Sequence, residues 1–298
     1  MSEQPAVSVR GLRKQYGTFT AVDGIGFEIA RGETFALLGP NGAGKSTTVE
    51  ILEGYRDRDA GEVSVLGVDP QHATLAWKAR IGIVLQQTGE SGTVTVREQL
   101  SHFASLYPHP RDIDEVIAAV GLEAKAKTRI KALSGGQRRR VDVALGVIGR
   151  PELLFLDEPT TGFDPEARHQ FWELIRSLSR EGTTIVLTTH YLDEAAQLSD
   201  RAAVIAGGRM LDIGPVDTIG SEQARVPLVR WRDDSGLHEE RTHEPARLVA
   251  QLVAAQGEPV ELEVIRPSLE DVYLELVGSA EAEEATAGAA GAAAEVTA

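Results

Sequence analysis

A glycine-rich loop at residues 39–47, with the sequence GPNGAGKST, constrains the fold of this chain more than any other segment. It follows an apolar run at residues 34–38, an order that predicts a buried strand, a loop and then a helix. Glycines allow consecutive backbone N–H groups to turn towards a polyphosphate, because a Cβ would block close approach or forbid the required dihedral angles. The sequence therefore predicts a phosphate-binding loop between a strand and a helix.

The side chains of this loop suit a nucleotide triphosphate with Mg²⁺. Lys45 supplies a positive charge for the β and γ phosphates, and the Ser46 hydroxyl is placed to ligate Mg²⁺, while the helix directs its positive N-terminus at the anion. The alternative is a glycine-rich turn that binds nothing, which the ordered succession of strand, loop, lysine, hydroxyl and helix disfavours. The nucleotide-binding residues predicted here are Gly39, Pro40, Asn41, Gly42, Ala43, Gly44, Lys45, Ser46 and Thr47.

Composition excludes several classes of protein. The 298 residues, 42% of them hydrophobic, suffice for one large domain and a smaller one. No basic-then-apolar leader and no run of about eighteen apolar residues occurs, so we expect neither export of the chain nor a membrane span. The absence of cysteine excludes disulfides and thiolate metal sites and fits a reducing cytosol. The net charge of −15 argues against general nucleic-acid binding.

Two polar residues flank predicted strands near the loop. Short strands are expected at Val7–Arg10 and Phe27–Ala30, and Tyr16 between them is placed either to stack on an adenine or to pack as an ordinary surface tyrosine. Gln86 follows the apolar run at 81–85 and lies where open α/β sheets collect ligands. Gln86 either reaches Mg²⁺ or the attacking water, or is a solvated loop residue.

A mainly helical block extends from Thr95 to Gly149 and predicts a helical subdomain inserted into the sheet domain. Thr95 and Glu98, at its start, have the spacing of a capping box. The block contains a second predicted anion site, formed by Ser134, Gly135, Gly136 and Gln137 before a helix. The three arginines at 138–140 form either a basic patch or a solvated helix face. The acidity of the chain favours the solvated face.

Acidic and imidazole groups follow two further apolar strands. Asp157 and Glu158 end the run at 153–156, where buried carboxylates are costly unless a cation or substrate uses them. Asp157 suits the Mg²⁺ shell, and Glu158 is placed to accept a proton from the water attacking the γ-phosphate. The alternative of a helix-capping acid pair is disfavoured by the loop PTTG that follows. His190, after the strand at 183–189, is placed to bond a γ-phosphate.

Taken together, GPNGAGKST, LSGGQ, LLFLDEPT and the strand-end His190 closely resemble the ATPase subunit of an ATP-binding cassette transporter, from about Val7 to Thr218. The resemblance implies an α/β phosphate-loop NTPase core that binds ATP and Mg²⁺. It further implies that Ser134–Gln137 contact the γ-phosphate bound by the other copy of a head-to-tail homodimer. Leu85, where proline is frequent, and Phe163, where leucine is usual, depart from the pattern.

The resemblance also assigns individual roles. Tyr16 stacks on adenine, Gln86 links Mg²⁺ to a membrane subunit, Asp164 is the acid of the loop between the two sites, and His190 is the switch histidine. Lys45 and Glu158 complete the catalytic set, with Ser46, Gln86 and Asp157 as metal ligands. The subunit would lie peripherally on the cytoplasmic face of the cell membrane, paired with a separately encoded permease, and would contact neither nucleic acid nor the transported molecule.

The expected domains are the cassette at 5–222 with its helical subdomain at about 93–150, a small α+β appendage at 223–278, and a disordered tail rich in Ala, Glu and Gly at 279–298. In the appendage, strands are expected at Val226–Trp231 and Val260–Ile265 around a helix at Pro245–Ala255. The segment PSLEDVYLEL at 267–276 is similar to the motif that closes the ATPase subunits of daunorubicin-type antibiotic exporters, although an ordinary amphipathic helix has the same pattern.

The sequence therefore predicts an ATPase that drives a membrane permease, with a drug or antibiotic moving outwards as the cargo. The rival hypothesis is a mechanical ATPase of the same family acting on DNA or ribosomes. Such proteins usually carry two cassettes or a long coiled coil, whereas this chain has one phosphate loop and no sustained heptads. A non-hydrolysing regulatory subunit is disfavoured by intact Lys45, Asp157 and Glu158.

Overall fold

The computed structural model describes residues 4–85, 93–233, 235–257 and 259–280. Gln86, the predicted link to a permease, lies outside the described residues. The chain divides into two compact units, Met1–Val216 and Asp217–Ala298, which are described separately below. Across the described residues, no helix combines the length and apolarity needed to cross a bilayer.

The first unit is built on a six-stranded sheet with the order β5–β6–β7–β3–β8–β9. Its first five strands in that order are parallel, and β9 runs antiparallel to β8. All residues of β3 and β7 are buried, which explains why they read as continuous apolar runs. The strands are β3 (Thr34–Leu38), β5 (Ile81–Val84), β6 (Leu153–Asp157), β7 (Thr184–Thr188), β8 (Arg201–Ala206) and β9 (Arg209–Pro215).

A second, antiparallel sheet in this unit has the order β2–β1–β4, with β1 (Val7–Tyr16), β2 (Phe19–Ile29) and β4 (Ala60–Val65). The predicted strands at Val7–Arg10 and Phe27–Ala30 were too short, because irregularities in the pairing let β1 and β2 continue to the tip of a hairpin. A core of buried residues joins this sheet to the larger one, and the rings of Phe27 and Phe35 stack there with centroids 5.5 Å apart.

Helices surround these sheets. A capping box at Thr95 and Glu98 starts α3, which confirms the prediction from their spacing. The helical block between β5 and β6 contains α3, α4 and α5, and it interrupts the sheet connections as predicted. The helices of this unit are α1 (Lys45–Leu52), α2 (Leu75–Lys78), α3 (Val96–Ala104), α4 (Ile113–Ala119), α5 (Gly135–Val147), α6 (Pro165–Arg180) and α7 (Leu192–Leu198).

The second unit contains an antiparallel sheet of order β11–β10–β12, formed by β10 (Leu228–Asp233), β11 (Gly236–Arg241) and β12 (Val260–Ile265). Helix α8 (Pro245–Gln256) supplies Leu252 to a small core with Val229 and Trp231. β11 was not predicted, since its sequence GLHEER contains a single large apolar residue and its pairing with β10 stabilises it.

The last described element of the second unit is helix α9, at residues 269–280. Ser268 and Asp271 cap it reciprocally, and Leu269, Val272 and Val277 are buried. Disorder was predicted from Ser279 onward. That prediction is wrong for residues 279 and 280, because the capped helix continues through them, and residues 281–298 lie outside the described residues.

Candidate active site

A cleft of about 250 Å³ lies between the tip of the β1–β2 hairpin, the loop at 39–47 and the end of β6. Parallel strands end at one edge of a sheet, which is where ligands of open α/β folds collect. Both the glycine-rich loop and the carboxylates therefore open on the same space. Of the predicted site residues, the cleft is lined by Tyr16, Asn41, Gly42, Gly44, Lys45, Ser46, Thr47, Asp157 and Glu158.

Two loop positions require glycine because other backbone approaches them closely. At Gly39, with φ at +156°, a Cβ would stand 2.1 Å from the carbonyl oxygen of Ile205. At Gly44, with φ at +101°, it would stand 2.3 Å from the carbonyl oxygen of Ala21. Gly44 is also the N-cap of α1, so the loop delivers the helix N-terminus directly to the cleft.

Lys45 is the buried cation of the cleft. Its Nζ donates to the carbonyl oxygens of Gly39 at 2.7 Å and Pro40 at 3.0 Å, which curls the side chain back over its own loop. Burial lowers the pKa of Lys45, and the charges of Glu158 and Asp157 oppose that shift. The ammonium group is therefore held between the loop carbonyls and the carboxylates, in position to meet an incoming anion.

The ends of β6 and β7 hold the two carboxylates. Asp157 and Thr188 are partners in the parallel register, and the Thr188 hydroxyl donates to Asp157 Oδ1. The backbone N–H of Glu158 donates to the Thr188 carbonyl oxygen at 3.0 Å. Glu158 has φ at +44°, a conformation that L-residues rarely adopt and that clusters at functional sites. Sequence reasoning missed Thr188, since nothing in an apolar run marks one threonine as a carboxylate partner.

His190 lies beside Glu158, with Nδ1 3.3 Å from Glu158 Oε1. The Tyr191 ring packs on the His190 ring at 4.0 Å between centroids, and the Arg168 guanidinium lies 4.6 Å from the Tyr191 ring centroid. A cation–π contact of this kind restricts the tyrosine and hence the histidine that it covers. The structure thus brings the predicted switch histidine and the predicted base together.

The tip of the β1–β2 hairpin carries an aromatic pair. Tyr16 and Phe19 are register partners, and both line the cleft. Tyr16 is 40% exposed, and Arg56 Cζ and Lys14 Nζ lie 5.3 Å and 5.6 Å from the centroid of its ring. Phe19 was not among the predicted site residues. The signal that would have identified it is the two-residue turn after Tyr16, which brings position 19 opposite position 16.

The second predicted anion site does not line this cleft. Ser134 is the N-cap of α5, its hydroxyl accepts from Gln137 N at 3.2 Å, and Gln137 Oε1 accepts from Ser134 N at 3.1 Å. A Cβ built on Gly135 would meet nothing within 4 Å, so this face of the turn is open. Asp164 also acts as a helix cap, its carboxylate accepting from Ala167 N at 2.7 Å at the start of α6.

The expectation that the arginines at 138–140 form a solvated helix face is wrong for one of them. Arg138 is exposed, but Arg139 is buried because α5 turns that face towards the ends of β5 and β6. Its guanidinium donates to the carbonyl oxygens of Asp157 at 2.8 Å and Pro159 at 3.0 Å. The residues next to Arg139 in the sequence are mostly polar, so nothing in the sequence indicates that this arginine is buried.

Comparisons with known proteins match this architecture. A family model described as "ABC transporter" matches residues 22–161. The chain is 39% identical over 298 residues to Nod factor export ATP-binding protein I of Rhizobium johnstonii, covering 92% of this chain and 95% of that protein.

Two solved structures share the fold. That of cbiO1 from Clostridium perfringens, part of the ABC transporter complex cbiONQ, is 29% identical with a TM-score of 0.65, covering 72% of this chain and 89% of that one. The dimeric ATP-binding cassette MJ0796 bound to ADP and Pi has a TM-score of 0.64 at 23% identity, and the match covers 70% of this chain and 98% of the MJ0796 chain. This similarity is one of fold.

Proposed function

The chain belongs to the ABC transporter family, as a subunit that hydrolyses ATP for transport, and on that premise we propose that it works as a homodimer powering export through a separately encoded membrane permease. The observation that carries this proposal is the convergence of Lys45, Ser46, Asp157 and Glu158 on one cleft. Such a subunit would lie peripherally at the cytoplasmic face of the membrane.

The cleft residues would divide the work of hydrolysis. Lys45 would leave its loop carbonyls and offset charge on the γ-phosphate, since phosphoryl transfer depends mainly on positioning and electrostatic stabilisation. Glu158 would accept the proton of the attacking water, and His190, 3.3 Å away, would hold that carboxylate and the γ-phosphate in register. Tyr16 would stack on the adenine.

The donor set fits Mg²⁺ entering together with ATP. The Ser46 hydroxyl and the Asp157 carboxylate are hard oxygen donors at the cleft, and Gln86 is the third proposed ligand. Among the described residues, no group of three or more His, Cys, Asp or Glu side chains is placed to hold a metal, which suits an ion that keeps water and phosphate ligands. Bound Mg²⁺ supplies positive charge to the β and γ phosphates.

The open turn at Ser134–Gln137 would contact the γ-phosphate of the nucleotide held by a second copy of the chain. Its position outside the cleft lining and the empty space around Gly135 support an approach by a partner. The solved cassette MJ0796, which has the same fold, is a dimer with ADP and Pi. Asp164, in the loop before α6, would lie between the two sites of such a dimer.

We further propose that the cargo moves outwards. The segment at 267–276 resembles the closing motif of daunorubicin-type exporters, and a relative aligned over 95% of its own length is named for Nod factor export. Antibiotic efflux and export of a Nod-factor-like molecule are the two cargo hypotheses. In either case the permease, and not this chain, would contact the cargo.

The substitution Glu158→Gln tests the catalytic assignment. The variant keeps the shape of the side chain but lacks a proton acceptor, so ATP binding should persist while turnover falls by about 10²-fold or more. Binding is measured with a fluorescent ATP analogue and turnover by phosphate release. Normal hydrolysis by this variant would remove Glu158 from the mechanism.

The transport proposal is tested by purifying the tagged chain from detergent-solubilised membranes and measuring efflux in cells that carry it with the recovered partner. We expect a multi-spanning protein to co-purify and efflux of the true cargo to require ATP hydrolysis. Cells carrying Glu158→Gln with the same partner serve as the matched control. Recovery with DNA or ribosomes and no membrane partner would instead support the mechanical ATPase.

A further inference from the structure

Arg139 makes an unusual set of contacts behind the cleft. Its side chain is buried, with 7% of the residue exposed, and its guanidinium faces the ends of two neighbouring strands. Nη2 donates to the carbonyl oxygens of Asp157 at 2.8 Å and Glu158 at 3.3 Å, and Nε donates to that of Pro159 at 3.0 Å. Nη1 donates to the carbonyl oxygen of Leu85, directly after β5. One side chain of α5 thus binds the backbone on both strands.

Burying a guanidinium is costly unless its N–H groups are satisfied and charges surround it. Burial lowers the pKa of Arg139, and the nearby charges of Asp142, Asp157, Glu194 and Glu158 oppose the shift. An apolar side chain would fill the same space without that cost. A buried guanidinium at this position is therefore better explained by the carbonyl oxygens that it binds than by the space that it fills.

The backbone that it holds is strained. Glu158 has φ at +44°, and non-glycine residues in this region cost roughly 1–3 kcal/mol and persist only where their surroundings impose the conformation. Thr188 accepts the Glu158 N–H from the β7 side at 3.0 Å. Arg139 binds the carbonyls before, at and after Glu158 from the α5 side. Thr188 and Arg139 thus hold the backbone of Glu158 from two sides.

We propose that Arg139 is a positioning residue that fastens α5 to the ends of β5 and β6 and holds Glu158 in its left-handed conformation. Ser134 caps the same helix five residues earlier, so α5 connects that cap to the backbone that Arg139 holds. Arg139 thus lies between the turn at Ser134–Gln137 and the backbone of Glu158. This inference rests on the role proposed for Glu158.

The test compares Arg139→Met with Arg140→Met in the full-length chain. Both replacements keep an unbranched side chain and remove the charge, but Arg140 bonds elsewhere, to Val120 O at 3.3 Å and Gln170 Oε1 at 2.7 Å. For Arg139→Met we expect kcat to fall at least tenfold, with KM and the Kd of a fluorescent ATP analogue within twofold of wild type. Arg140→Met should keep kcat within twofold.

Thermal unfolding establishes whether each variant is folded, and Arg139→Lys provides a second reading if the methionine variant does not fold. A single ammonium cannot span both strand ends, so Arg139→Lys should lose at least threefold in kcat at unchanged Kd. Wild-type kcat in a folded Arg139 variant, or equal losses of kcat and ATP affinity, would overturn the inference. Glu158→Gln in the same assay separates the two ideas, since only its normal turnover contradicts the catalytic assignment itself.

Discussion

At the scale of single residues, burial alters chemistry that residue type alone does not reveal. Glu53 follows α1 as its C-cap and is 6% exposed. Burial, with added repulsion from Asp157 and Glu50, raises the pKa of Glu53 from 4.5 to about 8. A carboxyl of this kind is mainly protonated at neutral pH. The sequence does not single out Glu53, because the larger of the two repelling charges, that of Asp157, comes from a distant strand.

This shift predicts how stability depends on pH. Since the folded pKa is raised, the folded chain holds the proton more tightly than the unfolded chain, and this stabilisation is complete below pH 4.5 and lost as the pH rises through about 8. Between pH 6 and 9, without nucleotide, the free energy of unfolding should fall by about 2–3 kcal/mol more in wild type than in Glu53→Gln. Urea denaturation measures both, and parallel pH slopes would contradict the raised pKa.

At the scale of elements, local contacts were predictable and distant pairing was not. The start of α3 follows from Thr95 and Glu98, because a capping box involves residues three positions apart. The hairpin β1–β2 was underestimated, since its extension depends on cross-strand register. That register brings Phe19 beside Tyr16 at the cleft, outside the two short strands that the sequence predicted.

At the scale of the whole molecule, the described residues place the two predicted phosphate-binding features apart, and only one of them lines the cleft. The loop at 39–47 lines the cleft with Asp157 and Glu158, and Ser134 caps a helix outside that lining. This separation supports a nucleotide held between two copies of the chain, as in the homodimer proposed above.

The substitution Ser134→Arg tests that arrangement. A bulky cation at the open turn should block closure on a partner's nucleotide and reduce turnover by about 10²-fold, comparable to losing one transition-state contact. The Kd of an ATP analogue for the isolated chain should stay within twofold, because the chain's own cleft is intact. A large loss of affinity in the monomer would contradict a role between subunits.

Ser101→Arg is the matched control for this experiment. Ser101 is exposed on α3 in the same helical block and has no role in the proposed dimer. It makes the same change in size and charge, so its turnover should remain within twofold of wild type. Equal inhibition by both variants would point to a general effect of added charge on the subdomain.

The sequence by itself determined the phosphate loop, the strand-end carboxylates and the family, because these depend on short runs of residues whose chemistry is local. Only the tertiary structure decided which groups meet. Thr188 reaches Asp157 through parallel register, and Arg139 reaches three consecutive carbonyls through the packing of α5. Such contacts join residues that are distant along the chain, so no local sequence pattern predicts them.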